Sequence, residues 1–83
     1  MEARDLQYFA VVAEHGNLRR AAEAIGVSQP ALSKTLRRLE KSAGAKVVSR
    51  TPNGVALTAM GAALLTHAHR LQLTMDDALK EIA

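Results

Sequence analysis

Residues 28–44 read SQPALSKTLRRLEKSAG, and this stretch decides the fold. Ser28 is a favourable N-cap, and Pro30 is tolerated in a first helical turn because its missing amide proton would be unpaired there. Gly44 ends the pattern. Apolar residues recur at i, i+4, i+7 and i+11, the spacing of one helix face, and they are Leu32, Leu36, Leu39 and Ala43. The sequence therefore predicts a helix over residues 28–43.

A shorter helix precedes this one across a tight turn. Asn17 is a candidate N-cap, and Gly26 can adopt the positive φ that a sharp turn needs. A short helix, a turn and a second helix with a free outer face form a helix-turn-helix. A further helix ending near Gly16 is predicted upstream. The apolar stripes of these two helices are Leu18, Ala21, Ala22 and Ile25 for the shorter one, and Leu6, Phe9, Ala10 and Ala13 for the upstream one.

Residues 46–57 change to strand-forming character. Val47-Val48 and Val55-Ala56-Leu57 flank the turn segment Thr51-Pro52-Asn53-Gly54, and its Asn-Gly pair is a strong hairpin signal. These residues predict a small two-stranded wing. Thr58 can cap a final helix that runs to the end of the chain.

Length and composition bound the class of protein. At 83 residues the chain makes one small domain, which we expect to be mainly α: a winged helix-turn-helix in residues 1–58 and a linker and dimerisation helix in residues 59–83. The absence of cysteine excludes disulfides and fits a reducing cytoplasm. The charged start is unlike a signal peptide, and no apolar run approaches the ~18 residues of a membrane span. We expect a cytoplasmic protein with no membrane partner.

The positive charge of the chain is local. Residues 28–54 hold six Lys or Arg against Glu40 alone, whereas the residues on either side have a slight acidic excess. A basic excess on one helix and the following loop is typical of a phosphate-binding surface. A solvated basic helix face is the simpler alternative.

The outer face of the predicted helix 28–43 offers side chains suited to DNA. Gln29 can pair with adenine through two hydrogen bonds, and Lys34 can reach the acceptors of guanine. A three-helix core with an incidentally polar surface is the alternative. The wing adds a cation and a tip that fits a minor groove. The predicted DNA-binding residues of the helix and wing are Ser28, Gln29, Pro30, Ala31, Ser33, Lys34, Arg37, Arg38, Lys41, Arg50 and Asn53.

These residues also resemble a known family across nearly the whole chain, the DNA-binding domain of LysR-type transcriptional regulators. The resemblance implies a bacterial regulator with a winged helix-turn-helix and a linker helix that pairs antiparallel in a homodimer. It also implies a C-terminal domain that senses a small-molecule effector and that this chain lacks. The motifs that carry it are Ala21-Ala22, Ser28-Gln29-Pro30-Ala31-Leu32-Ser33, Leu39-Glu40, Gly44, Arg50 and Leu57-Thr58-Ala59-Met60-Gly61.

Three segments depart from the family pattern. Val47-Val48 replaces the usual Leu-Phe, and Ala43 replaces the usual Leu, so we expect looser packing under the wing. Asn17-Leu18-Arg19-Arg20 replaces the more usual Ser-aromatic-Thr start, and we expect Arg19 and Arg20 to add phosphate contacts.

The final helix has a seam of apolar residues spaced 4, 3, 4, 3 and 4 apart. A stripe of this length would be an exposed apolar patch, which monomers avoid, so it predicts a homodimer. The alternative is that the stripe packs back on the first helix. The predicted dimerisation residues are Leu64, Ala68, Leu71, Met75, Ala78 and Ile82.

Catalysis, metal binding and a cofactor find no support. His67 and His69 are two residues apart on a helix, so their side chains diverge and cannot share an ion. The sequence therefore favours a sequence-specific binder of double-stranded promoter DNA that is not an enzyme and has no cofactor. The alternative function is a helical protein–protein module, an adaptor or antitoxin-like dimer whose basic face binds an acidic partner.

Overall fold

The computed structural model describes residues 1–82, and Ala83 lies outside the described residues. The order of elements confirms the predicted mainly α winged helix-turn-helix followed by a long helix. The division of the chain at residue 58 stays a prediction. The elements are α1 (Ala3–His15), α2 (Leu18–Ile25), α3 (Gln29–Ala43), β1 (Val48–Thr51), β2 (Gly54–Leu57) and α4 (Ala59–Ile82).

Local capping signals set the ends of α2 and α3. The side chains of Asn17 and Ser28 each accept a hydrogen bond from a backbone N–H of the first turn, at 2.9 and 3.2 Å. Gly26 ends α2 with a left-handed φ of 87°, which costs a glycine no steric strain. The turn between the two helices is therefore tight, and it fixes where α3 begins.

The core lies where α1, α2 and α3 meet. Leu32 and Leu39 of α3 are fully buried, and Ala21 of α2 is fully buried where α2 crosses it. Phe9 of α1 is the largest fully buried side chain. Truncating an aromatic side chain in such a core costs about 3–5 kcal/mol, a large fraction of the stability of a small domain.

The buried face of α1 differs from the predicted stripe. Phe9 is buried as expected, but its buried neighbours are Asp5 and Val12, while Leu6 and Ala10 are only half-buried, as is Ala13. The reason is that α1 packs against α2 and α3 on one side and against α4 on another. Its apolar residues are therefore divided between two contacts.

The wing is an antiparallel pair with Val48 opposite Leu57 and Thr51 opposite Gly54. Its two-residue connection is Pro52-Asn53, so the turn falls within the predicted segment Thr51-Pro52-Asn53-Gly54. Gly54 has a φ of 139° and lies so close to the Gly16 carbonyl that a Cβ there would collide with it. A glycine is thus needed here both for the backbone conformation that follows the turn and for the close docking of the wing on Gly16.

The residues under the wing that depart from the family pattern differ in burial. Val47 lies just before β1 and is fully buried in the core, whereas Val48 and Ala43 are half-buried. The looser packing expected from these smaller side chains stays a prediction.

The two halves of α4 have different surroundings. Ala68 is buried against α1, and Leu64 and Leu71 are half-buried. Residues 77–82 are exposed, and Ile82 is 80% exposed. Ala68 is therefore covered and Leu64 is partly covered within the chain, and the part that these two residues play in a dimer stays a prediction. Within residues 1–82, no helix is both long and apolar enough to cross a membrane.

Candidate nucleic-acid interface

The outer face of α3 is fixed by what its inner face buries. Leu32, Leu36 and Leu39 are buried, so the side chains on the far side of the helix must face solvent. Lys34 and Arg37 are exposed there. The other predicted residues of this face are Gln29, Pro30, Ala31 and Lys41, which are exposed, and Ser33, which is half-buried.

A groove of about 480 Å³ separates α3 from the wing. Ser33 and Arg37 line it from the helix, and Arg50 lines it from β1. A shallower concavity of about 270 Å³ adjoins Arg50 and is also lined by Gln29 and Arg19. The structure therefore brings helix and wing residues to one continuous surface. Asn53 is exposed in the connection between the strands.

The cations of residues 28–54 fall into two groups. Lys46 lies 3.6 Å from a carboxylate oxygen of Glu40, and Arg38 pairs with Asp5. Within the part of the chain described, the other four have no acidic partner, and they are Lys34, Arg37, Lys41 and Arg50. These four form what we call the basic surface. Because no carboxylate neutralises them, they offer their charge to a polyanion such as the phosphate backbone.

Arg38 has a structural partner that the sequence did not reveal. Its guanidinium donates to both carboxylate oxygens of Asp5, at 2.6 and 3.4 Å, and the Asp5 side chain is fully buried. This charge-assisted hydrogen bond lowers the pKa of the Asp5 carboxyl, while burial acts in the opposite direction. Arg38 therefore ties α3 to α1. We withdraw it from the proposed DNA contacts.

The two arginines of α2 also differ. Arg19 pairs with Glu23 one turn along at 3.1 Å, and both side chains are largely exposed. An exposed pair of this kind is weak, so Arg19 remains available to another anion. Arg20 is exposed and, among residues 1–82, has no acidic partner. Within residues 1–82 no group of three or more His, Cys, Asp or Glu could hold a metal ion.

A tight turn, a helix with cations on its outer face and a docked two-stranded wing define a winged helix-turn-helix DNA-binding domain. The family model described as "Bacterial regulatory helix-turn-helix protein, lysR family" matches residues 3–62. The chain belongs to the LysR family of bacterial regulatory helix-turn-helix proteins.

Relatives and solved structures agree with this assignment. The chain is 47% identical over 79 residues to the "SDS degradation transcriptional activation protein" of a Pseudomonas species, a match that covers 95% of this chain and 26% of that protein. The CbnR_DBD–DNA complex superposes with a TM-score of 0.89 at 37% identity, covering 98% of this chain and 93% of that one. The BenM_DBD/catB site 1 DNA complex gives a TM-score of 0.92 at 29% identity, covering 99% and 92%. The chain thus spans about a quarter of the length of that curated relative.

Proposed function

We propose that this domain binds double-stranded DNA in a sequence-specific manner, with α3 in the major groove and the wing on the adjacent backbone or minor groove. The observation that carries the proposal is the basic surface, whose four unpaired cations lie on the outer face of α3 and on the wing. The solved DNA complexes of similar LysR domains support it.

The proposed DNA interface consists of the basic surface and its polar neighbours. We divide its residues into those that recognise bases and those that bind phosphates. Gln29, Ser33 and Lys34 lie on the first two turns of α3, where a recognition helix contacts base edges. Pro30 and Ala31 offer apolar contact to a thymine methyl. The residues we propose for phosphates are Ser28, Arg37, Lys41, Arg50, Arg19 and Arg20, with Asn53 at the tip of the wing.

We further propose that two copies pair through the exposed end of α4. Met75, Leu79 and Ile82 are 38%, 62% and 80% exposed and lie on one face of the helix. An apolar stripe of this kind is normally covered. Leu71 and Ala78 flank it, whereas Ala68 is buried and Leu64 packs against the core of the same chain. A two-fold dimer would place two recognition helices on two half-sites.

As part of a whole regulator, the domain would bring that regulator to a promoter in the bacterial cytoplasm, in a binding role without catalysis. A separate C-terminal domain would sense a small-molecule effector. The names of the curated relatives, which are transcriptional regulators or activators, support this assignment.

The test is a binding titration with fluorescent duplex DNA selected from a random pool, in the presence of excess nonspecific competitor. Arg37→Ala should weaken binding to all duplexes and lower the slope of log K against log salt by about one. Arg70→Ala is the matched control, because Arg70 is an exposed arginine of α4 that lies outside the basic surface. Equal effects of the two substitutions, or no binding by the wild-type chain, would contradict the proposal.

A further inference from the structure

Glu40 is an acidic residue beside the basic surface, where a carboxylate should repel DNA. Its side chain is only 13% exposed and lines the groove between α3 and the wing. One carboxylate oxygen accepts a hydrogen bond from the backbone N–H of Val47 at 2.8 Å, and the other lies 3.6 Å from Nζ of Lys46. The carboxylate thus binds the segment that leads into β1.

The same segment is held from its other side by the start of α4. The Thr58 hydroxyl donates to the Lys46 carbonyl at 2.6 Å, and the Thr58 N–H donates to the Val47 carbonyl at 3.1 Å. Gly61 lies so close to that Val47 carbonyl that a Cβ would collide with it. Residues 46–47 are therefore fastened between α3 and α4.

We propose that Glu40 is a positioning residue for DNA binding: it fixes the wing against α3 and thereby sets where Arg50 lies. Arg50 follows Val47 by three residues on β1, so the anchor at Val47 determines the start of its strand. The second anchor is the Val55 N–H, which donates to the Gly16 carbonyl at 3.0 Å on the far strand. This proposal rests on the proposed function, because it explains how Arg50 is held in place for its proposed contact with a phosphate.

The sign of the effect separates positioning from simple electrostatics. Removing a negative charge near a DNA surface should strengthen binding if Coulomb repulsion were all that Glu40 contributed. Loss of an anchor should instead weaken binding, because Arg50 would have to be ordered when DNA binds. Glu40→Met keeps the length of the side chain and a high helix propensity, but it removes the carboxylate that accepts the hydrogen bond from the Val47 N–H. Glu40→Gln removes the charge and keeps an amide oxygen for the Val47 N–H.

The experiment is a double-mutant cycle between Glu40→Met and Arg50→Ala, measured by titration of a mixed-sequence duplex at several salt concentrations. Each single substitution should weaken binding by roughly three- to tenfold and lower the salt slope by about one. The double variant should bind like either single one. Glu40→Gln should bind at least as tightly as the wild type. Amide exchange at Val47 should accelerate in Glu40→Met and stay slow in Glu40→Gln.

Glu14→Ala is the control for the loss of a negative charge elsewhere, because Glu14 is exposed on α1. Additive effects, or tighter binding by Glu40→Met, would overturn the proposal while leaving the proposed function intact. Failure of the wild-type chain to bind any duplex would overturn the proposed function instead, and the Val47 exchange would still report whether the anchor exists. Should Glu40→Met not fold, Thr58→Val, which frees the same segment from the α4 side, must show the same coupling to Arg50→Ala.

Discussion

The basic surface and the exposed end of α4 are both open to solvent, but the free-energy cost of that exposure differs between them. Charged side chains such as Lys34 and Arg37 are well hydrated, so their exposure is stable without any partner. Leu79 and Ile82 are apolar, and their exposure on one helix face is costly unless something covers them. The first surface is therefore suited to binding DNA reversibly, whereas the second is suited to an association that persists.

The two surfaces also differ in support. The basic surface lies on α3 and a wing that are held by a buried core, by the Asp5–Arg38 pair and by the Glu40 anchor. The end of α4 is less supported: the amide of Gln7 donates to the Met75 sulfur at 3.3 Å, and residues 77–82 are exposed. Recognition of bases needs side chains held on rigid elements, which this support provides.

The largest expected effect comes from a charge on the exposed end of α4. Leu79→Glu should convert a dimer into a monomer, because an unpaired carboxylate in an apolar interface is costly. Affinity for a duplex with two half-sites should fall by about 10²-fold, since the second site no longer benefits from linkage. Affinity for a single half-site should not change. Sedimentation and a titration on both duplexes measure these outcomes.

Leu73→Glu is the matched control for this prediction. Leu73 is 61% exposed, close to the 62% of Leu79, but six residues along a helix place it about 120° away around the axis. It should leave the dimer intact. If both substitutions dissociate the dimer, or neither does, the face we assign to pairing is wrong.

Sequence reasoning found the helix-turn-helix because its signals are local. Asn17, Ser28 and Gly26 lie within a few residues of the groups they cap, and they behave in the structure as predicted. The roles of Asp5 and Glu40 were missed, because each contacts residues that only the tertiary fold brings near. The heptad pattern of α4 shows where the helix is apolar but not which partner covers it, and α1 of the same chain covers Ala68.

Arg37 and Arg38 are neighbours in sequence with different partners, so they offer a second contrast. Arg38→Ala should lower the melting temperature by several degrees, because it leaves the buried Asp5 carboxylate unpaired. It should leave the salt slope of DNA binding nearly unchanged. A slope that falls by one for Arg38→Ala, with an unchanged melting temperature, would return this residue to the set of phosphate contacts.

The Asp5–Arg38 pair also predicts a dependence on pH. The pKa of the Asp5 carboxyl is lower in the folded state than its ordinary value of 3.8. The ionised carboxylate therefore stabilises the fold at pH values above 3.8, and this contribution is lost as pH falls through the folded-state pKa. The stability gap between wild type and Arg38→Ala should therefore be fully present at neutral pH and shrink at pH values below 3.8. Thermal melts across this range measure the gap, and a constant gap would contradict the assigned pairing.

The smallest effect is expected at Gln29, where base recognition can be distinguished from phosphate binding by the basic surface. Gln29→Ala should cost about 1 kcal/mol on the selected duplex and relax the preference at one base pair. Binding to mixed-sequence DNA should hardly change, in contrast to Arg50→Ala, which should weaken all duplexes alike. Should Gln29→Ala and Arg50→Ala alter specificity equally, the orientation assigned to α3 would be wrong.

The placement of DNA against the outer face of α3 and the wing can be tested by NMR. The ¹⁵N-labelled chain would be titrated with a selected duplex while the backbone amide shifts are followed. We expect the perturbed amides to cluster at residues 28–41 and around Arg50, with the end of α4 beyond Met75 unaffected at constant oligomeric state. Perturbations concentrated on α4, with the amides of residues 28–41 unchanged, would contradict it.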